Sequence, residues 1–298
     1  MSSIRKFLRS SRYPTSKKAL TGTLLSIWVA AALSLVTLSS CVTTGPGGKK
    51  SFMLFGTSDE VAIGKRVDDE VRSESTLLVD SVWQNYVNDI GQKLVAVCDR
   101  KDLEYHFAVI ESDQINAFAL PGGYVYFYTG LLRIMDNEAQ LAAVMSHEIS
   151  HVVARHGMKR MQKALIAELG YAAVFGNSGS SKVRDAAVGI GLSLAFAGYS
   201  RSAEAEADRY GIEYMTRAGY NPHGAVEMFN HLAEAGSRDP NAFEKLTADH
   251  PETKARISNA ERQIDAMGEL PKGLKFNKDV YRRLKARLPK PSESAASG

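Results

Sequence analysis

The chain has 298 residues, with 37 Lys and Arg against 33 Asp and Glu for a formal charge of +4, and it is 44% hydrophobic and 23% charged. That composition excludes a wholly disordered chain and a polytopic membrane protein. Six of the cations and no acid lie within residues 1–40, so the remainder is formally −2 and its charge points to no nucleic-acid partner.

In chain order, residues 1–40 read as a secretory signal: the cations Arg5 to Lys18, an apolar run over 24–36, then Leu38-Ser39-Ser40-Cys41. The closing tetrapeptide resembles a bacterial lipobox, which implies a lipoprotein signal peptide and acylation (palmitate among the acyl chains) at Cys41. An uncleaved membrane anchor is the alternative, although the apolar run is short of the roughly 20 residues of a span. Two or more acyl chains hold a protein stably at a membrane, since each buried methylene contributes about 0.8 kcal/mol. Val42 follows the cysteine with no Asp to retain it at the inner membrane, so the expected location is the periplasmic face of an outer membrane. With Cys41 lipidated, Cys98 has no disulfide partner and reads as a buried thiol.

Residues 41–57 are Gly-rich and polar and read as a flexible tether. A helix is expected from Ser58-Asp59-Glu60, and another over 79–97 from apolar positions three and four apart. Strands follow at 105–110, 115–120 and 124–128, the last two joined by Pro121-Gly122-Gly123, which predicts a small antiparallel sheet. Helices are expected at 137–167, 183–198, 201–217, 222–235 and 251–267. The loop over 176–181 leads into an apolar stretch, 186–198, read as a buried helix, with a lid or membrane-contacting loop as the alternative. Residues 271–298 hold an excess of six positive charges, which leaves a strongly acidic body, and read as a basic, solvated tail that could also attract anionic lipid.

The chemistry concentrates in His147-Glu148-Ile149-Ser150-His151. On a helix, residues four apart share a face, so both imidazoles can converge on one metal ion while Glu148 takes a proton from the attacking water. The metzincin continuation fails, because Gly157 stands where its third His belongs and His156 is one residue out of register. The better third ligand is Glu204 on a second helix, with Asp208 one turn on to accept a hydrogen bond from a ligating His. Glu206 reads as a charge pointing away from the site.

These motifs, together with Ile115-Asn116-Ala117-Phe118-Ala119-Leu120-Pro121-Gly122-Gly123 and His250-Pro251 with Arg256-Ile257, resemble the HtpX-, BepA- and LoiP-like zinc metallopeptidases, metallopeptidase family forty-eight, and within it the small lipoprotein branch. The resemblance implies an α+β, mainly α fold: a gluzincin-type helical metallopeptidase domain over 58–270 with the small sheet beside the zinc cleft. It also implies one Zn(2+) per chain held by His147, His151 and Glu204, Glu148 as general base, and Asp208 behind the ligands. The strand at Asn116, Ala117 and Phe118 becomes an edge to which an extended polypeptide adds, giving broad specificity with some preference set by apolar pockets. In one branch of the family the residue matching His250 can reach the metal, so His250 is a candidate switch ligand of a latent enzyme; a loop His bonded to backbone is the alternative. Arg256 is read either as an oxyanion stabiliser or as a helix-face salt bridge. The implied function is a membrane-anchored periplasmic metalloprotease, a hydrolase of unfolded or misassembled envelope proteins acting in protein quality control. The alternative is a chaperone-like outer-membrane assembly factor that binds client strands with little proteolysis. Expected partners are unfolded polypeptides, the membrane through the lipid anchor and the outer-membrane assembly machinery, with no nucleic acid.

Overall fold

The computed structural model describes residues 41–43, 45–46, 49–170, 181–195, 197–238 and 253–291. The leader and His250 therefore lie outside the described residues, as does most of the 176–181 loop. Two short strands, β1 (Cys41–Thr43) and β2 (Lys50–Phe52), precede helix α1 (Thr57–Glu74) and helix α2 (Ser81–Val95), the latter capped by Asp80, whose carboxylate accepts from the backbone N–H groups of Val82 and Trp83. Met53 and Phe55, within the stretch read as a tether, are buried.

Strands β3 (His106–Ile110), β4 (Ala117–Leu120) and β5 (Tyr124–Tyr128) form one sheet in the order β3-β5-β4. Its strands alternate strictly. Phe107, Val109, Ala117, Val125 and Phe127 face one core, while Ala108, Ile110, Phe118, Leu120 and the tyrosines of β5 face the other. Both faces are covered, so β5 reads as a continuous apolar run.

The sheet is mixed rather than antiparallel throughout. β4 and β5 form the expected hairpin, but β3 pairs with β5 in parallel, His106 opposite Tyr124 through Ile110 opposite Tyr128. The segment after β3 crosses the end of β5 before β4 begins. Gly130 makes that crossing possible, because a Cβ there would meet the Asp113 carbonyl oxygen at 2.3 Å. Thr129 fastens it by accepting from the Ser112 N–H at 3.0 Å and donating to the Ser112 carbonyl at 2.7 Å.

A short helix, α3 (Thr129–Ile134), follows β5. The helix expected over 137–167 is two, α4 (Glu138–Val153) and α5 (His156–Leu169), broken where Arg155 adopts a left-handed φ of 54°. α6 (Ser181–Ala195) takes the apolar stretch and is only half buried. Val183, Ala187 and Gly191 face inward at helical spacing, and a Cβ at Gly191 would approach Val67 at 3.3 Å. α7 (Arg201–Arg217) and α8 (His223–Arg238) pack on α4, and α9 (Thr253–Ala266) packs on α7 and α8. Among the described residues no helix is long and apolar enough to cross a membrane.

The basic stretch after 271 does not behave as a solvated terminus. Helix α10 (Lys278–Lys285) inserts Tyr281, 0% exposed, into the core, where its hydroxyl donates to the Leu132 carbonyl at 2.8 Å. The Trp83 indole N–H donates to the Leu284 carbonyl at 3.0 Å. The cations remain outside while one apolar face packs, as long charged side chains on an amphipathic helix allow.

Candidate metal centre

Helix α4 is buried along nearly its whole length, which holds His147, Glu148 and His151 away from bulk water. Its start is fixed by Asn137, whose side-chain oxygen accepts from the Gln140 N–H at 3.0 Å. α7, capped by Ser200, runs along α4 and brings Glu204 opposite the two histidines. Close approach depends on Gly211: a Cβ there would lie 3.1 Å from the His147 backbone nitrogen and 3.2 Å from its Cα.

The Nε2 atoms of His147 and His151 lie 3.0 Å apart, and the two Glu204 oxygens approach them at 3.5 and 3.4 Å. One donor atom from each of the three residues falls within 4.8 Å of the others. The outer nitrogens fix the tautomers. His147 Nδ1–H donates to Asp208 Oδ1 at 2.9 Å. On the other side His151 Nδ1 lies 2.9 Å from His156 Nδ1, and His156 Nε2 lies 3.1 Å from Glu206. A proton on His156 Nε2, given to Glu206, leaves His156 Nδ1 to accept from His151. Both Nε2 lone pairs then point at one spot beside a carboxylate, an arrangement that repels itself without a shared cation. Burial drives the His151 pKa well below the ordinary imidazole value, which keeps it neutral. The donor set of two imidazoles and a carboxylate thus fits a divalent metal.

Burial works to raise the Asp208 carboxyl, but Arg256 and His147 outweigh it and hold its pKa at about 2. Arg256 grips Asp208 with Nε and Nη2 at 2.8 and 2.6 Å, reaches Glu204 with Nη1 at 3.5 Å and lies over the Phe229 ring at 4.6 Å. The structure therefore gives Arg256 a salt bridge, from α9 to α7 rather than along one helix face. Glu148, 2% exposed, shares a pocket wall with His147, Asp208 and Arg256.

Two participants have no role assigned to them by spacing, although His156 accompanies the His147–His151 motif in the sequence. His156 is out of register on a continuous helix, and it reaches His151 because the turn at Arg155 swings the start of α5 back. Tyr199 stacks on His151 at 4.0 Å between centroids, with Arg160 on its ring at 4.3 Å; no spacing signal marks it. Glu206 does point away from the metal-facing atoms, yet it anchors His156 and pairs with Lys49 at 2.9 Å.

β4 is an edge of the sheet. Tyr128 N–H donates to the Asn116 carbonyl, so Phe118 and Leu120 pair with β5 while Ala117 and Ala119 turn their main-chain groups the other way. The Asn116 side-chain oxygen accepts from the Ala117 N–H at 2.9 Å.

Gly211→Ala is expected to press α7 away from His147 and weaken metal binding by about tenfold, the lower end of what displaced supporting groups cost. Competition with a chromophoric chelator for Zn(2+) measures it, and unchanged affinity would show that the helices tolerate the methyl.

The model of peptidase family M48 matches residues 82–264. The beta-barrel assembly-enhancing protease of Yersinia pestis is 33% identical over 216 residues, 70% of this chain and 44% of that protein. Its Escherichia coli K12 counterpart is 29% identical over 276 residues, 89% of this chain and 55% of that one. Metalloprotease LoiP of Escherichia coli K12 is 27% identical over 232 residues, 74% of this chain and 87% of LoiP. The chain spans about half the length of the two assembly-enhancing proteases.

Proposed function

The chain belongs to peptidase family M48, and from that premise we propose that it is a zinc endopeptidase, lipid-anchored through Cys41 in a bacterial envelope, that hydrolyses peptide bonds of unfolded or misassembled envelope proteins. The observation that carries the activity is the convergence of His147, His151 and Glu204 within 4.8 Å beside buried Glu148. His147 and His151 would hold the ion through Nε2, and Glu204 through its carboxylate. Bound there, zinc supplies Lewis acidity, which acidifies a water and polarises the scissile carbonyl.

The chain's own residues do the rest. Asp208 and the His156–Glu206 pair orient the two imidazoles and make them better donors. Glu148 takes a proton as the water oxygen bonds to the carbonyl carbon, then passes it to the amide nitrogen as the C–N bond breaks. Arg256 offsets the negative charge gathered by Asp208, Glu204 and Glu148 and fixes the position of Asp208. β4 offers main-chain groups to an extended chain, which supports unfolded polypeptide as the substrate class.

The test is cleavage of reduced, unfolded casein by the full chain, with products mapped by mass spectrometry. Expected are internal cuts that stop with a chelator and return with Zn(2+). Intact casein with one zinc bound per chain would overturn the reading.

A further inference from the structure

On the His151 side of the metal centre the supporting contacts do not end at Glu206. Its carboxylate uses both oxygens: Oε2 faces His156 Nε2 at 3.1 Å, and Oε1 accepts from Lys49 Nζ at 2.9 Å. Lys49 lies in the stretch that leads from the proposed acylation site at Cys41 into the body. β2 follows it directly and pairs with β1.

The same stretch is then fastened along α5. Leu54 N–H donates to Gln162 Oε1 at 2.8 Å. Met53 and Phe55, on either side of Leu54, are buried and share one apolar core with Met158, Met161 and Leu165 of α5. Thr57 accepts from Arg155 Nη2 at 2.7 Å and donates to Asp102 at 2.8 Å. Residues 49–57 therefore hold the Arg155–His156 turn at two points, Lys49 through Glu206 and Thr57 through the Arg155 side chain itself.

These contacts differ in strength. The Lys49 side chain is 64% exposed, so its ion pair is screened and adds direction more than energy, fixing one Glu206 oxygen while the other stays on His156. The docking comes mainly from Met53 and Phe55, whose apolar surface is removed from water. His151 Nδ1 meets His156 Nδ1 at 2.9 Å, so withdrawal of His156 takes away a contact that orients a metal-facing ring.

We propose that residues 49–57 form a strap that positions the metal centre: docked on α5 and on Glu206, it holds His156 against His151, and displacing it lowers metal affinity. Lys49, Met53 and Thr57 are positioning residues that act through His156 and Arg155. Because the strap joins the body to the anchor, a pull or a cut in that segment reaches the metal centre. The inference goes beyond the endopeptidase reading and rests only on metal binding at that centre.

The experiment measures the Zn(2+) affinity of the full chain by competition with a chromophoric chelator. Lys49→Ala is expected to weaken it about two- to fivefold, the range of an exposed ion pair, and Lys49→Arg to keep it at the parent value. Met53→Asp, which puts a charge into the apolar seat of the strap, should cost about 10- to 100-fold. Two further readouts separate positioning from a general loss of stability. The visible bands of the Co(2+)-loaded chain, set by ligand geometry, should shift in Met53→Asp and stay in place in Tyr281→Phe, which loses a buried hydrogen bond in the other core. Hydrogen exchange should quicken in Lys49→Ala and Met53→Asp at the Lys159 amide, which closes the first turn of α5 onto the Arg155 carbonyl at 2.9 Å. Parent-like affinity and parent-like exchange in both folded variants would overturn the strap. If Met53→Asp fails to fold, Lys49→Ala against Lys49→Arg decides. A parent chain that binds no zinc would defeat the metal centre instead, and exchange at Lys159 in the metal-free variants would still decide the strap.

Discussion

Replacing Glu148 with Gln is expected to lower peptide hydrolysis by a factor of about 100 to 10,000, the range that positioned general acid–base groups contribute, and to leave zinc bound at one per chain. Gln matches Glu in shape, and Glu148 is 2% exposed in a pocket wall, so the substitution removes basicity without opening a cavity. The three metal-facing residues are untouched, and their supports, Asp208 on one side and His156 on the other, are separate side chains. Retained zinc with lost cleavage therefore isolates proton transfer. The same variant separates the protease from the chaperone-like assembly factor. Cells that depend on cleavage should lose envelope function with Glu148→Gln, whereas full function in cells with no cleavage in vitro would favour the binding role. Hydrolysis within a few-fold of the parent would remove Glu148 from the mechanism altogether.

What could be read from the sequence divides along a physical line. Spacing within a single helix is local information, so His147 with His151 and Glu204 with Asp208 could each be placed on one face before any fold was known. The span of α7, 201–217, was legible for the same reason, with Ser200 to start it. Strand direction is not local: alternation in 105–110 and 124–128 looks the same for parallel and antiparallel pairing, and the choice is made by the crossing at Gly130. The break before α5 is set by tertiary contacts of the Arg155 side chain, which hold a left-handed backbone that no propensity would assign to Arg. The role of His156 was lost with it. α10 illustrates a different failure. Tyr281, Leu284 and Leu288 are three and four apart, a legible apolar stripe, but the surrounding cations drew the reading toward a solvated tail.

The cluster that sets the Arg155 turn gives the largest expected change in stability. Glu60, 1% exposed, takes two hydrogen bonds from Arg100 at 2.9 and 2.8 Å and lies 3.3 Å from Arg155 Nε. Arg155 is itself 1% exposed. Its Nη2 donates to Thr57 at 2.7 Å, while its Nε and Nη1 have no hydrogen-bond partner among the described residues. Asp102, half exposed, accepts from Arg100 Nε at 3.1 Å and lies 3.9 Å from Arg155, so one buried and one half-exposed carboxylate answer two guanidinium groups. Burial, offset in part by Glu60, lowers the Arg155 pKa. Glu60→Ala would leave both cations in a low-dielectric interior, and removing one partner of a buried pair costs about 3–5 kcal/mol. Arg155→Met should cost clearly less, because it leaves Arg100 and Glu60 matched one to one. Urea denaturation of both variants with the metal chelated measures this order without a contribution from ligand binding. A smaller loss for Glu60→Ala than for Arg155→Met would show that Glu60 is not what compensates the cluster. Because Arg100 Nη1 also donates to the Val152 carbonyl at 3.0 Å, next to His151, the loss should spread into the metal centre and lower zinc affinity in Glu60→Ala.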